Sequence, residues 1–280
     1  MQAQFTVLTD FYGNGSHTAS HPSTNQNLLS IGTELFGACN GGSHDMGVVY
    51  KINSDGTGYS ELYSFTDTVS GRAPSGTLVY DGTFLYGLTF QGGANNLGVV
   101  YRLMPDGSSF SVLFDFDGTS SGSYAQGSLI LDGTVLYGMT GKGGANDLGT
   151  IFSINTDGSG FMKVLDFDGT AKGSKPRNTL IYDGTFLYGA TSYGGISDLG
   201  VIFKIMPDGS AYSKLVDFIG TANGGRPYGK LFTDGTFLYG TTSIGGSANF
   251  GTIYKIMLDG SGFSTIHDFS GIADGKYPYG

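Results

Sequence analysis

A chain of 280 residues with a formal charge of −9 and only 14 Lys and Arg has no basic stripe to displace counterions from phosphates. That excludes nucleic acid and anionic membrane surfaces as partners, and no run approaches the roughly 18 apolar residues of a spanning helix. The single cysteine, Cys39, excludes an intrachain disulfide, and 50 glycines spaced between strand-like runs rich in Phe and Tyr argue for a repeat-built core rather than disorder.

Met1 leads directly into Gln-Ala-Gln-Phe and a first strand-like run, Phe5–Phe11, with no segment of signal-peptide type. The pentapeptide T-x-L-[YF]-G then recurs at Thr33–Gly37, Thr83–Gly87, Thr134–Gly138, Thr185–Gly189 and Thr236–Gly240, the copies 50, 51, 51 and 51 residues apart. A fixed period of that size is the signature of a repeat architecture. The second copy serves as the pattern. Thr77–Tyr80 is a short apolar strand a, and Asp81-Gly82 is a turn that supplies positive φ. Thr83–Phe90, rich in β-branched and aromatic residues, is strand b. Gln91–Gly98 is a glycine-bounded loop, Val99–Met104 is strand c, Pro105–Ser108 is a turn, and Phe110–Phe116 is strand d. A long polar link from Phe116 to Leu129 then crosses to the next unit.

This pattern predicts an all-β fold, a β-propeller of five four-stranded antiparallel blades built from repeats of about 51 residues. The units run over residues 12–65, 66–116, 117–167, 168–218 and 219–269 of a single repeat-built domain spanning 1–280. Antiparallel geometry puts the b–c loops and the d–a crossovers on one face and the Asp-Gly turns on the other. Six d-type segments stand against five of each other type, so one terminal strand is redundant. Phe5–Phe11 is expected either to close the ring as the outer strand of the last blade or to exchange with another chain. The stop at Tyr279-Gly280, within another crossover, reads as a truncation.

The T-x-L-[YF]-G core, the G-G-x-x-x-x-G-x-[VI]-[YF] segment after it, the Asp-Gly turn and the F-S-x-L-x-D-F strand together resemble the GloVer tandem-repeat family over essentially the whole chain. The resemblance implies an exported bacterial protein held at the cell surface by a variable C-terminal anchor, and it implies no particular activity.

The candidate sites follow the repeat. Asp45, Asn96, Asp147, Asp198 and Asn249 occupy one aligned position of the b–c loops. Asn and Asp accept left-handed backbone, so they serve the turn, and as short polar groups they could also hold sugar hydroxyls or calcium. The d strands end in Asp-Phe at Asp10, Asp115, Asp166, Asp217 and Asp268, carboxylates read as capping the crossover, with calcium the one cofactor left open. The crossovers carry side chains that differ from copy to copy: Arg72, Tyr124, Lys175 with Arg177, Arg226 with Tyr228, and Lys276 with Tyr277 and Tyr279. Of these, Tyr124, Arg226 and Tyr228 are the ligand candidates. Cys39 aligns with Thr89, Thr140, Thr191 and Thr242 as a strand position, and the tyrosine or phenylalanine of each L-[YF]-G reads as core.

His17, His21, His44 and His267 follow no repeat register or metal-ligand spacing, and no nucleophile elbow, P-loop or dinucleotide fingerprint appears. The expectation is a non-enzymatic surface module without a metal, binding a glycan or a surface protein. The alternatives are a structural protein assembling into homo-oligomers through the terminal strand, and a hydrolase betrayed by a His–carboxylate pair on one face.

Overall fold

The computed structural model describes residues 19–22, 27–66 and 68–279. Phe5–Phe11, Asp10 and His17 lie outside them. The chain divides into two compact units, Met1–Asp115 and Phe116–Gly280, meeting at a repeat boundary.

In the first unit, β1 (Ala19–Pro22), β2 (Leu29–Ile31), β3 (Glu34–Gly41), β4 (Val48–Asn53) and β5 (Ser60–Ser64) form one antiparallel sheet, in which β1 and β2 both pair with β3. A second sheet follows from β6 (Arg72–Tyr80), β7 (Leu85–Gln91), β8 (Val99–Leu103) and β9 (Ser111–Asp115), hydrogen-bonded in chain order. The second unit holds three more such sheets. They are β10 (Ile130–Asp132), β11 (Val135–Thr140), β12 (Thr150–Asn155) and β13 (Met162–Asp166); β14 (Ile181–Tyr182), β15 (Leu187–Thr191), β16 (Val201–Ile205) and β17 (Ser213–Asp217); and β18 (Phe232–Thr233), β19 (Phe237–Thr242), β20 (Thr252–Met257) and β21 (Ser264–Asp268). Among the described residues there is no helix. The fold is the all-β propeller of antiparallel sheets that the repeat period predicts, four of them four-stranded and the first carrying β1 as a fifth strand. β21 takes the outer place on β20 that the ring-closing reading gave to Phe5–Phe11.

The T-x-L-[YF]-G motif has a steric reason. Gly189 pairs directly with Phe203 across the sheet, and a Cβ on Gly189 would meet Phe203 Cζ at 2.5 Å. Gly138 stands in the same relation to Phe152, also at 2.5 Å. The glycine is the seat on which the aromatic ring of strand c lies flat. Phe203 then packs edge-on against Phe167, the residue after β13, at 5.5 Å, as Phe152 does against Phe116, and Tyr254 lies tilted against Phe218 at 5.3 Å. Sheets within a unit are thus stitched by one aromatic pair per repeat, each worth about 0.5–1.5 kcal/mol beyond the area it buries.

The outer strands carry a device the sequence pattern did not reveal. Every c–d pairing slips by one residue at the same place, for instance between Ile151 and Phe152 and between Ile202 and Phe203. Such a bulge adds local twist and makes an outer edge a poor template for pairing with another chain.

The turns of the opposite face are built from the aspartates. Asp183 Oδ1 accepts from the Thr185 and Phe186 amides, and its Oδ2 accepts from the Tyr188 hydroxyl at 2.8 Å. Asp81 and Asp234 repeat that arrangement with Tyr86 and Tyr239. In the c–d turns Asp106, Asp157, Asp208 and Asp259 each accept both the amide and the hydroxyl of the serine two residues on.

Candidate functional site: the crossover face

The b–c loops are shaped by three residues that recur in register. Thr191 is fully buried at the end of β15; its Oγ1 donates to the Tyr193 carbonyl at 2.8 Å and accepts from the Val201 amide at 3.2 Å. It closes the neck of the loop, as Thr89, Thr140 and Thr242 do in their own repeats. Cys39 fills this place in the first sheet, buried, its thiol pushed up to about 12 by burial first and then by the Glu61 charge. Burial and the raised thiol both disfavour the thiolate form at this strand position.

The second residue is the aligned Asp or Asn. Asp45, Asn96, Asp147, Asp198 and Asn249 all have φ between 55° and 59°. In four of them Oδ1 accepts from the amide four residues back: Asn96 from Gly92, Asp147 from Gly143, Asp198 from Gly194 at 2.7 Å, and Asn249 from Gly245. This is the turn role. The third is the carboxylate that ends each d strand. Asp115, Asp166 and Asp217 accept from the Ala94, Ala145 and Ile196 amides, so these aspartates brace the b–c loop rather than the crossover. Lys163 and Lys214 neutralise Asp166 and Asp217 at 2.8 and 2.7 Å. The crossover is capped by the residues that follow: Asp168 accepts from the Ala171 and Lys172 amides, and Asn223 from the Ile219 amide.

On this frame the crossovers present one side chain each from a left-handed backbone. Ala73, Tyr124, Lys175, Arg226 and Tyr277 are equivalent and have φ between 52° and 56°. A non-glycine residue there costs roughly 1–2 kcal/mol, and the cause is visible. The Lys175 amide donates to the Leu148 carbonyl at 2.8 Å, Arg226 to Leu199 at 2.7 Å and Tyr277 to Phe250 at 2.7 Å, which ties each crossover to the b–c loop of the preceding repeat. Backbone held this firmly fixes the position while leaving the side chain free to differ between repeats.

In the second unit these side chains gather. Lys175 Nζ and Arg226 Cζ each lie 5.0 Å from the centroid of the Tyr193 ring. Arg177 Cζ lies 5.7 Å from the Tyr228 ring, and Tyr228 packs on Tyr279 at 5.6 Å. The Tyr193 and Tyr228 hydroxyls meet at 3.3 Å. The Tyr228 hydrogen bond holds the Tyr193 phenol below its usual range, against the effect of burial and with help from the Arg226, Arg177 and Lys175 charges. Burial, together with the Tyr193 hydroxyl, pushes Tyr228 up. Tyr124 stands with Lys142 at 5.5 Å.

Of the residues named from sequence, Arg226 and Tyr228 therefore come together, with Lys175 and Arg177, while Tyr124 belongs to a separate pair with Lys142. Tyr193 was missed. It follows the neck threonine by two residues, where the other repeats have Gln91, Lys142 and Ile244, and that break in the repeat was the available signal.

Among the described residues no group of three or more His, Cys, Asp or Glu is placed to hold a metal ion. Among the described residues there is one His–carboxylate pair: His267 Nε2 lies 2.8 Å from Asp274 Oδ2, and Ser270 Oγ donates to Asp274 Oδ1 at 2.8 Å. The Asp274 carboxyl is held down at about 2 by the Ser270 hydroxyl first, then the Ser270 amide. The serine serves the carboxylate, not the imidazole, so no base is set to activate it. Asp274 accepts from the Ser270 amide as Asn223 does from Ile219, so it is a crossover cap.

The Gloeobacter/Verrucomicrobia repeat model matches residues 1–171 and 131–280. No curated protein matches the sequence. Among solved structures, a chain of the nidogen/laminin complex aligns at TM-score 0.57 and 14% identity, covering 90% of this chain and 81% of that one. An oligogalacturonate lyase in complex with manganese aligns at 0.54 and 16%, covering 94% and 68%. TolB from Acinetobacter baumannii aligns at 0.51 and 14%, covering 80% and 49%. At these identities the likeness shows the fold alone.

Proposed function

This chain belongs to the Gloeobacter/Verrucomicrobia repeat family, and from that premise we propose that it is a non-enzymatic binding module, working at or outside the cell envelope, that engages a glycan through the crossover face of its second unit. The observation that carries the reading is the cluster of Tyr193, Tyr228 and Tyr279 beside Lys175, Arg177 and Arg226. Aromatic faces offer sugar rings a flat apolar surface, and hydroxyl and guanidinium donors at their edges hold the sugar oxygens. Arg226 and Tyr228 contact ligand in this proposal, and Tyr124 with Lys142 extends the surface. Asp147, Asp198 and Asn249 set the loops that frame it, and Asp45 and Asn96 do the same in the first unit. The extracytoplasmic setting rests on the family likeness, and the lyase among the structural neighbours is a reminder that this fold also carries enzymes.

Glycan-array screening followed by calorimetry tests the proposal. A hit should weaken at least tenfold, about 1.4 kcal/mol, in Tyr228→Ala with unchanged thermal stability. No binding across a broad panel, or binding indifferent to Tyr228, would reject it.

A second reading, assembly with further copies of this chain, is favoured by β21. Its Ile266 is 52% exposed, and Ile272 just beyond it is fully exposed. Deleting residues 1–11 should then abolish assembly in light scattering; a monomer before and after deletion would reject exchange of that segment.

A further inference from the structure

Strand cations are of two kinds: Lys204 and Lys255 lie over the Phe186 and Phe237 rings at 4.9 and 4.7 Å, while three lysines are ion-paired. Lys51, Lys163 and Lys214 on the strands each reach a carboxylate at 2.7–2.8 Å. Among the described residues, no ion pair joins Lys175 or Arg226 to any acid, and Arg226 Nε is buried with no acceptor. Leaving a buried donor unpaired costs about 1–3 kcal/mol, and more for a charged group, so its retention beside two other cations calls for an acceptor from outside. The nearest acid in sequence on that loop, Asp198, is engaged with the Gly194 amide. Tyr193 sits among these charges, its phenol held down by the Tyr228 hydroxyl first and only then by Arg226, Arg177 and Lys175, in a chain that as a whole carries −9.

We propose that the Lys175–Arg177–Arg226 cluster around Tyr193 and Tyr228 is an anion subsite, and that the glycan bound there carries a carboxylate, as a uronic acid does. This rests on the glycan reading above and narrows it. Arg226 supplies the charged fork that suits a planar carboxylate and Lys175 a second positive charge, while Tyr193 and Tyr228 receive the sugar ring. What sets a uronic acid apart from a phosphate here is the planar carboxylate that matches the guanidinium fork, next to a pyranose ring for the tyrosine faces.

The test is calorimetry on the full chain with a β-1,4-glucuronan tetramer and with cellotetraose, the same backbone bearing CH2OH in place of each carboxylate. The glucuronan should bind at least tenfold more tightly, weaken as salt rises, and lose that advantage in Arg226→Gln and Lys175→Gln. Lys51→Gln, which removes a strand cation of the first unit, should bind as the parent does. Circular dichroism and melting temperature establish that each variant folds. Equal binding of both tetramers, lost in Tyr228→Ala, would overturn the anion subsite and leave the glycan reading standing. Binding of neither would overturn both. Displacement of the glucuronan by equimolar inorganic phosphate would show a general anion site and overturn the saccharide assignment.

Discussion

The fourth and fifth sheets are near copies in sequence and differ in what covers their outer strands. On β17, Val216 is 8% exposed and the following Phe218 is fully buried against Tyr254 of the next sheet. On β21 the equivalent His267 is exposed and Phe269 only half-buried, packed edge-on to the His267 ring at 5.0 Å. The same contrast separates Tyr188, which is buried, from Tyr239, which is half-buried, although both donate to an aspartate of their own turn. Within the second unit stability is thus a nearest-neighbour property: Val216 and Phe218 of the fourth repeat complete their core against Tyr254 and Ile256 of the fifth, as in other repeat proteins.

That contrast can be broken by mutation. Phe167→Ala and Phe218→Ala should each cost about 3–5 kcal/mol, and Tyr137→Ala a similar amount, whereas Phe269→Ala should cost less than half as much. Urea denaturation of the four variants decides it, and equal losses would refute the nearest-neighbour account. Next in size, Gly189→Ala should cost about 1–3 kcal/mol by forcing the Phe203 ring off its seat; an unchanged melting temperature would show that the ring relaxes freely. Tyr101 and Tyr254 carry buried hydroxyls with no partner among the described residues, where Phe152 and Phe203 carry none. Tyr101→Phe should therefore be neutral or stabilising by about 1 kcal/mol, and a clear loss of stability would reveal a partner for that hydroxyl.

The smallest effect is a local one with pH. Because the Asp274 carboxyl is held below its ordinary value of 3.8, at about 2, its ionised form is favoured by folding. The contribution is complete above about pH 4 and is lost as pH falls through about 2. Amide exchange at Ser270 should accelerate over that window while Ile219, capped by the neutral Asn223, does not change with it.

Much of this was legible in the chain. The period, the strand order and the Asp-Gly turns could be read because each rests on local rules: alternating β-branched and aromatic residues, and dipeptides that supply positive φ. The left-handed role of Asp147 and Asp198 was readable for the same reason. The bulge in every c–d pair was not, since it is a matter of register between two strands and no residue type announces it. The bracing of the b–c loop by Asp217 was read instead as a crossover cap, because a carboxylate at a strand end has two loops within reach and sequence does not choose between them. The site was half legible. Arg226 and Tyr228 stood out as side chains that vary on a repeated frame, but their meeting with Tyr193 depends on hydrogen bonds between successive repeats, from Arg226 to Leu199 and from Lys175 to Leu148.

The claim on which the functional account rests is that the repeated strands supply only a frame and that recognition belongs to the left-handed crossover positions. Hydrogen–deuterium exchange with and without the glucuronan tetramer measures this directly. The account predicts protection confined to the segments around Lys175–Arg177, Tyr193 and Arg226–Tyr228. Protection at the Asp183 and Asp234 turns instead, or at no segment, would contradict it.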